Sequence, residues 1–257
     1  MLKNFQLSPK AIFYPMLMLA AMWTGFFLQQ FGLFRDCSGS IIPLTPEGLK
    51  GIFFSPFLHG NLEHIIGNSL PIAVLMFLLY QFYQPIASKV FFTGWIATGL
   101  LVWLLPPIDI MTGDFYYSCI IGASGLIYVM AFFLFFSGVF RWDLKLLAVT
   151  LLVGMYYGGL VWGVFPEELF YNLDAPSKIS WQSHLSGAVV GVILAFIFKN
   201  SGEKKKKYIW EFPDYYNEKD DKLWMQYKEN HPDDFREMPQ KKKDAVWELL
   251  DELRKRS

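Results

Sequence analysis

Charge is what most of this 257-residue chain lacks. Residues 1–200 hold nine basic and nine acidic side chains, and residues 201–257 hold the remaining fourteen of each. A water-soluble fold does not starve 200 residues of charge in this way, so the pattern describes a membrane protein with a polar tail. Net charge is zero, which withholds the basic excess a nucleic-acid partner requires. Cysteine is nearly absent. Cys37 and Cys119 are too few for a disulfide scaffold or a four-cysteine metal site; their simplest reading is two unpaired thiols, and whether they pair is left open. There is no HExxH run and no carboxylate inside the apolar stretches, so a metal centre is not expected. No internal repeat is visible.

What is present is apolar length. Hydrophobic residues make up 53% of the chain and aromatic residues 18%, with a mean hydropathy of +0.28. A helix crossing a hydrocarbon core needs about 20 residues. Six stretches approach that length, at about Ile12–Phe31, Ile65–Phe82, Val90–Leu105, Ile120–Phe136, Leu144–Phe165 and Trp181–Phe198. The first follows Lys3 and Lys10, as a signal peptide would, but its apolar run is too long and it reads as a retained anchor.

The basic residues of the connections set the direction of the spans. Lys3, Lys10, Lys89, Arg141, Lys145, Lys199 and Lys204–Lys207 fall on one side, and only Arg35, Lys50 and Lys178 on the other. Both termini are therefore expected in the cytoplasm, with connections 32–63, 106–119 and 166–180 outside. Spans two, four and six then run from outside to inside, and the residues that begin them share one depth. The tail mixes charge with Trp210, Trp224 and Trp247, and Asp244–Arg254 has helical periodicity. The expected organisation is a core over 1–200 and a charged cytoplasmic segment, partly helical, over 201–257.

Polar side chains inside such spans are functional candidates, because a charge at a helix centre costs about 2.5–3.5 kcal/mol on insertion scales. Three clusters stand out: His59-x4-His64-x3-Asn68, then Gly122-Ala-Ser124-Gly125 with Tyr128 one turn on, then His184-x2-Gly187-x3-Gly191. Each also fits a plainer role. His59 could cap a loop, Ser124 could belong to a seam of small residues, Tyr128 could be ordinary core, and Gly187 and Gly191 read as a helix-packing seam. The shared depth favours chemistry over coincidence. His64 and Asn68 lie on one helix face, as do Ser124 and Tyr128. A close contact between spans four and six would bring His184 to Ser124. Serine needs an adjacent base to become a nucleophile, and an amide substrate needs donors for its oxyanion. His184 can be that base; His64, Asn68 and the Ser124 N–H can be the donors. Asp109, Asp114, Glu167, Glu168 and Asp174 fall in outer connections, and Asp143 falls on the opposite side. Glu63 adjoins His64 but points elsewhere around a helix. A Ser–His dyad without an acid is therefore expected, with Tyr128 packing on the imidazole.

These clusters, in this order on these spans, resemble the rhomboid family of intramembrane serine proteases. The resemblance covers about residues 10–200 and is strongest over Gly48–Asn68, Gly122–Gly125 and His184–Gly187. The first connection carries Phe34-Arg35 where many relatives carry Trp-Arg. The resemblance implies an all-α, six-span core with Ser124 as nucleophile and His184 as base. It places oxyanion assistance on His64 and Asn68, and a ring stacked on the base at Tyr128. It also implies a water-filled cavity gated by the fifth span and the loop after it, about Leu144–Ser180.

The implied activity is cleavage of peptide bonds in or next to transmembrane segments of other proteins. Preference would be for a small residue before the cut and helix-breaking residues after it. The partners are membrane-protein substrates and the lipid bilayer. No organic cofactor or metal is required. The implied setting is a bacterial inner membrane; oligomeric state is left open. A non-proteolytic binder or chaperone on the same fold is the alternative. A channel or transporter would want ionisable residues through the membrane depth, which this chain lacks.

Overall fold

The computed structural model describes residues 6–34, 37–108, 113, 115, 117–142, 144–165, 180–201 and 221–235. Helix α1, Pro9–Gln30, begins on a proline whose missing N–H costs nothing at that position. A helical run follows, made of 3-10 turn Glu47–Lys50, short helix α2 at Gly51–Phe54 and 3-10 turn Ser55–Phe57. Helix α3, Leu62–Phe82, starts where the Asn61 side chain accepts the His64 N–H at 2.8 Å. Helix α4, Ala87–Leu104, stops before Pro106-Pro107. Helix α5 covers Ser124–Arg141, and α6 covers Leu144–Tyr157 before tightening into 3-10 segment Gly158–Val164. Helix α7, Trp181–Ile197, is capped by the Ser180 side chain.

Among the described residues, α1, α3, α4, α5 and the stretch Lys145–Val164 are long and apolar enough to cross a membrane. The sixth expected span, α7, is an apolar helix of 17 residues. The chain divides into two compact units, Met1–Lys204 and Lys205–Ser257. Of the second unit, α8 at Lys222–Asn230 and 3-10 turn Pro232–Phe235 are described. In α8, Trp224 stacks on Tyr227, which stacks in turn on His231. Trp210, Trp247 and the periodic run Asp244–Arg254 lie outside the described residues, as do Arg35, Asp109, Asp114, Asp143, Glu167, Glu168, Asp174, Lys178 and Lys204–Lys207.

Two expectations need correction. Cys37 and Cys119 are joined as a disulfide, with Cα atoms 5.5 Å apart across 82 residues of sequence. The fourth span does not begin at Ile120. There Ile120 and Ile41 exchange N–H···O bonds of 2.9 Å each, which commits the backbone to extended pairing. Gly122 follows at φ +111°, outside any right-handed helix, so α5 starts only at Ser124.

The first connection is bound tightly to the bundle. The Trp95 and Trp103 indole N–H groups, both on α4, donate to the carbonyls of Ile52 and Thr45 at 2.7 Å. The Gly122 N–H donates to the Ser55 carbonyl at 2.8 Å. Helix α5 sits at the centre, packed by α3, α4, α6 and α7, with Leu126, Ile127, Val129, Met130, Phe133 and Leu134 buried in the shared core. That central placement fixes what its first residue can meet.

Candidate active site

The α5–α7 contact determines the geometry. A Cβ built on Gly187 would collide with the Gly125 carbonyl and lie 2.9 Å from the Tyr128 Cβ. One built on Gly191 would lie 2.6 Å from the Val129 carbonyl. The two helices thus touch backbone to backbone, as the small-residue spacing predicts. The contact passes from Gly125–Gly187 to Val129–Gly191, advancing one turn along both helices in the same direction. The helices are therefore parallel, and Ser124 and His184 lie at the same end.

His184 is buried, with 9% of its surface exposed. Its ring stacks on Tyr128 with centroids 4.2 Å apart and planes 11° from parallel. Its Nδ1 lies 2.8 Å from the carbonyl oxygen of Gly163. Ser124, half-buried, is the first residue of α5, where backbone N–H groups have no acceptor within the helix. Beside His184 is a cleft of about 190 Å³ bounded by Tyr128, Trp181 and residues of the Gly159–Phe165 stretch.

The start of α3 reaches the same end. At Gly122, a Cβ would lie 2.8 Å from His64 Nε2 and 3.5 Å from Asn68 Nδ2, so backbone there passes directly against both side chains. The Asn68 Nδ2 is buried and has no hydrogen-bond partner among the described residues. A buried amide donor left open calls for an acceptor. His59 is fully buried, its ring edge-on to His64 at 5.0 Å, and its backbone N–H donates to Gln29 Oε1 at 3.0 Å. Burial, helped by the adjacent His64 ring, pushes the His59 pKa down to about 4, with only the Phe57 backbone working the other way.

The structure thus gathers His59, His64, Asn68, Gly122, Ser124, Gly125, Tyr128, His184 and Gly187 around the joined ends of α3, α5 and α7, while Gly191 packs one turn further along the α5–α7 seam. Glu63 is exposed. Sequence reasoning missed three contributors. Asn61 and Ser180 cap the two histidine-bearing helices; their N-cap residue types ahead of apolar runs were available as signals. Gly163 reaches His184 with a backbone carbonyl, for which no residue type is a signal.

A family model of the Rhomboid domain matches residues 46–201. An uncharacterized protein of Mycobacterium tuberculosis is 37% identical over 177 residues, spanning 67% of this chain and 68% of its own length. One from Mycobacterium bovis matches to the same extent. An uncharacterized protein of Mycobacterium leprae is 34% identical over 173 residues, 65% of this chain and 63% of its own.

Proposed function

The chain belongs to the rhomboid family, and on that premise we propose that it is a serine endopeptidase cutting peptide bonds in or next to transmembrane segments of membrane proteins. The observation carrying this reading is the shared end of α3, α5 and α7. There a stacked, buried histidine and an open amide donor adjoin the backbone leading into Ser124. Ser124 Oγ attacks the scissile carbonyl while His184 takes the hydroxyl proton. The oxyanion is held by Asn68, His64 and the Ser124 N–H, donors already in place where the negative charge develops. His184 then passes its proton to the leaving amine, and water repeats the sequence on the acyl-enzyme. Tyr128 holds the imidazole plane during both transfers.

A transmembrane helix hides its carbonyls in its own hydrogen bonds, so the substrate must unwind before it can be cut. The helix-breaking preference implied by the family follows from that requirement. Both termini are assigned to the cytoplasm of a bacterial cell, with Lys205–Ser257 outside the catalytic unit. The disulfide supports this orientation, because it joins connections assigned to the outer side, where thiols are oxidised. The test is labelling of detergent-purified protein with a serine-reactive phosphonate, together with cleavage of a reconstituted single-span substrate. Ser124→Ala should abolish both, and turnover by purified Ser124→Ala would overturn the assignment.

A further inference from the structure

A carbonyl oxygen can only accept a hydrogen bond. The 2.8 Å contact between His184 Nδ1 and the Gly163 carbonyl therefore puts the proton on Nδ1. In the neutral ring this leaves the lone pair on Nε2, the tautomer a general base needs. In a Ser–His–Asp triad a carboxylate performs that service. We propose that the Gly163 carbonyl is the positioning group for His184, and that segment Gly158–Val164 must be docked for the base to work. The proposal rests on the protease reading above.

Three further observations support it. A Cβ on residue 163 would collide with the Tyr128 hydroxyl and come within 3.3 Å of His184 Nδ1, so only glycine brings the carbonyl this close. The carbonyl lies near the end of a helical segment, where the last acceptors have no donor further along and are open to an outside group. Of the five long apolar helices among the described residues, the host span is the least buried. Of its apolar window 17% is buried, against 61% for α5, and no residue of the 3-10 segment itself is buried. Little buried surface opposes its movement, so the acceptor can leave without unfolding the bundle.

The cleft beside His184 is bounded by this same segment. A substrate that pushes the segment aside would remove the acceptor from the base, and catalysis would wait until the segment closes again. Weakening the contact should therefore lower kcat more than it alters KM, because the loss falls on the chemical step.

The test replaces Val164 by its α-hydroxy analogue in the full chain. This turns the Gly163–Val164 peptide into an ester and makes the Gly163 carbonyl a poorer acceptor, with every side chain kept. The expected result is a fall in kcat of about tenfold, the effect of a barrier change of about 1.4 kcal/mol, with KM and thermal midpoint little changed. The same replacement at Val153, inside α6, serves as the control and should leave kcat near the parent value. Gly163→Ala should lose most turnover, and Gly163→Ala combined with Tyr128→Phe should regain part of it, since the colliding hydroxyl is gone. An active parent whose Val164 ester keeps full kcat overturns this proposal alone. A parent that neither labels nor cleaves overturns the protease reading and this proposal together.

Discussion

At the residue scale, the side chains around α3 differ in what surrounds them, and each difference has a measurable consequence. Asn68 offers a buried donor with no partner among the described residues, so its use is expected only when negative charge develops on the substrate. Asn68→Ala should lower kcat by about 10²–10³ with little change in KM, as removal of one oxyanion donor typically does; steady-state cleavage of a reconstituted substrate measures this. An increase in KM alone would make Asn68 a binding contact. His59 is fully buried beside His64, and both its ring nitrogens lack a hydrogen-bond partner among the described residues. Its pKa falls from 6.5 when unfolded to about 4 when folded, so the unfolded chain binds the proton more readily. Stability is therefore lost as pH drops from about 6.5 towards 4. Thermal midpoints at pH 7 and pH 5 should show that loss, and His59→Phe should reduce it.

At the element scale, the seam between α5 and α7 leaves no space for a side chain at Gly187. Overpacking a tight contact costs typically about 1–3 kcal/mol. A displacement of about 1 Å between reacting groups can cost about 10² in rate. Gly187→Val should therefore reduce both turnover and thermal midpoint. Ile193→Val, on the exposed face of α7 at 51% exposure, should change neither. A fully active and equally stable Gly187→Val would contradict the close packing. The start of α5 illustrates a limit of periodicity. Ile120 and Ile121 continue an apolar run, and hydropathy alone extends the helix through them. The bridge to Ile41 and the left-handed Gly122 end that extension, and they present Ser124 on a helix terminus.

At the scale of the whole molecule, the Cys37–Cys119 disulfide closes a long loop and sits beside the Ile41–Ile120 bridge that leads to Gly122. Disulfides typically contribute about 2–4 kcal/mol. Cys37→Ser with Cys119→Ser should lower the thermal midpoint in detergent and reduce turnover, as the register ahead of Ser124 loosens. Equal stability with and without reductant would show that the backbone pairing suffices. Every residue assigned a role lies within Met1–Lys204. Truncation after Lys207 should accordingly leave cleavage of a test substrate little changed, as judged on protein that still inserts into membranes. Loss of activity in such protein would give the tail a part in the core.

The sequence by itself located the apolar stretches and their order, five of which form helices long enough to cross a membrane among the described residues, because bilayer thickness sets a length that hydropathy measures directly. It also determined which side chains stand out, since His64 and His184 are ionisable residues in segments that hold few of them, and Asn68 and Ser124 lie at helical spacing within the same motifs. Helical spacing also marked Gly187 and Gly191 as the seam along which α7 meets α5. Tertiary structure alone decided that two cysteines 82 residues apart are paired, because pairing depends on how the connections fold back on one another. It also decided that α5 starts only after the apolar run at Ile120 and Ile121, where backbone bonds between Ile41 and Ile120 outweigh local preference. The acceptor for His184 was likewise decided there. A backbone carbonyl is present in every residue, so only the packing of the Gly158–Val164 segment against α7 could single out Gly163.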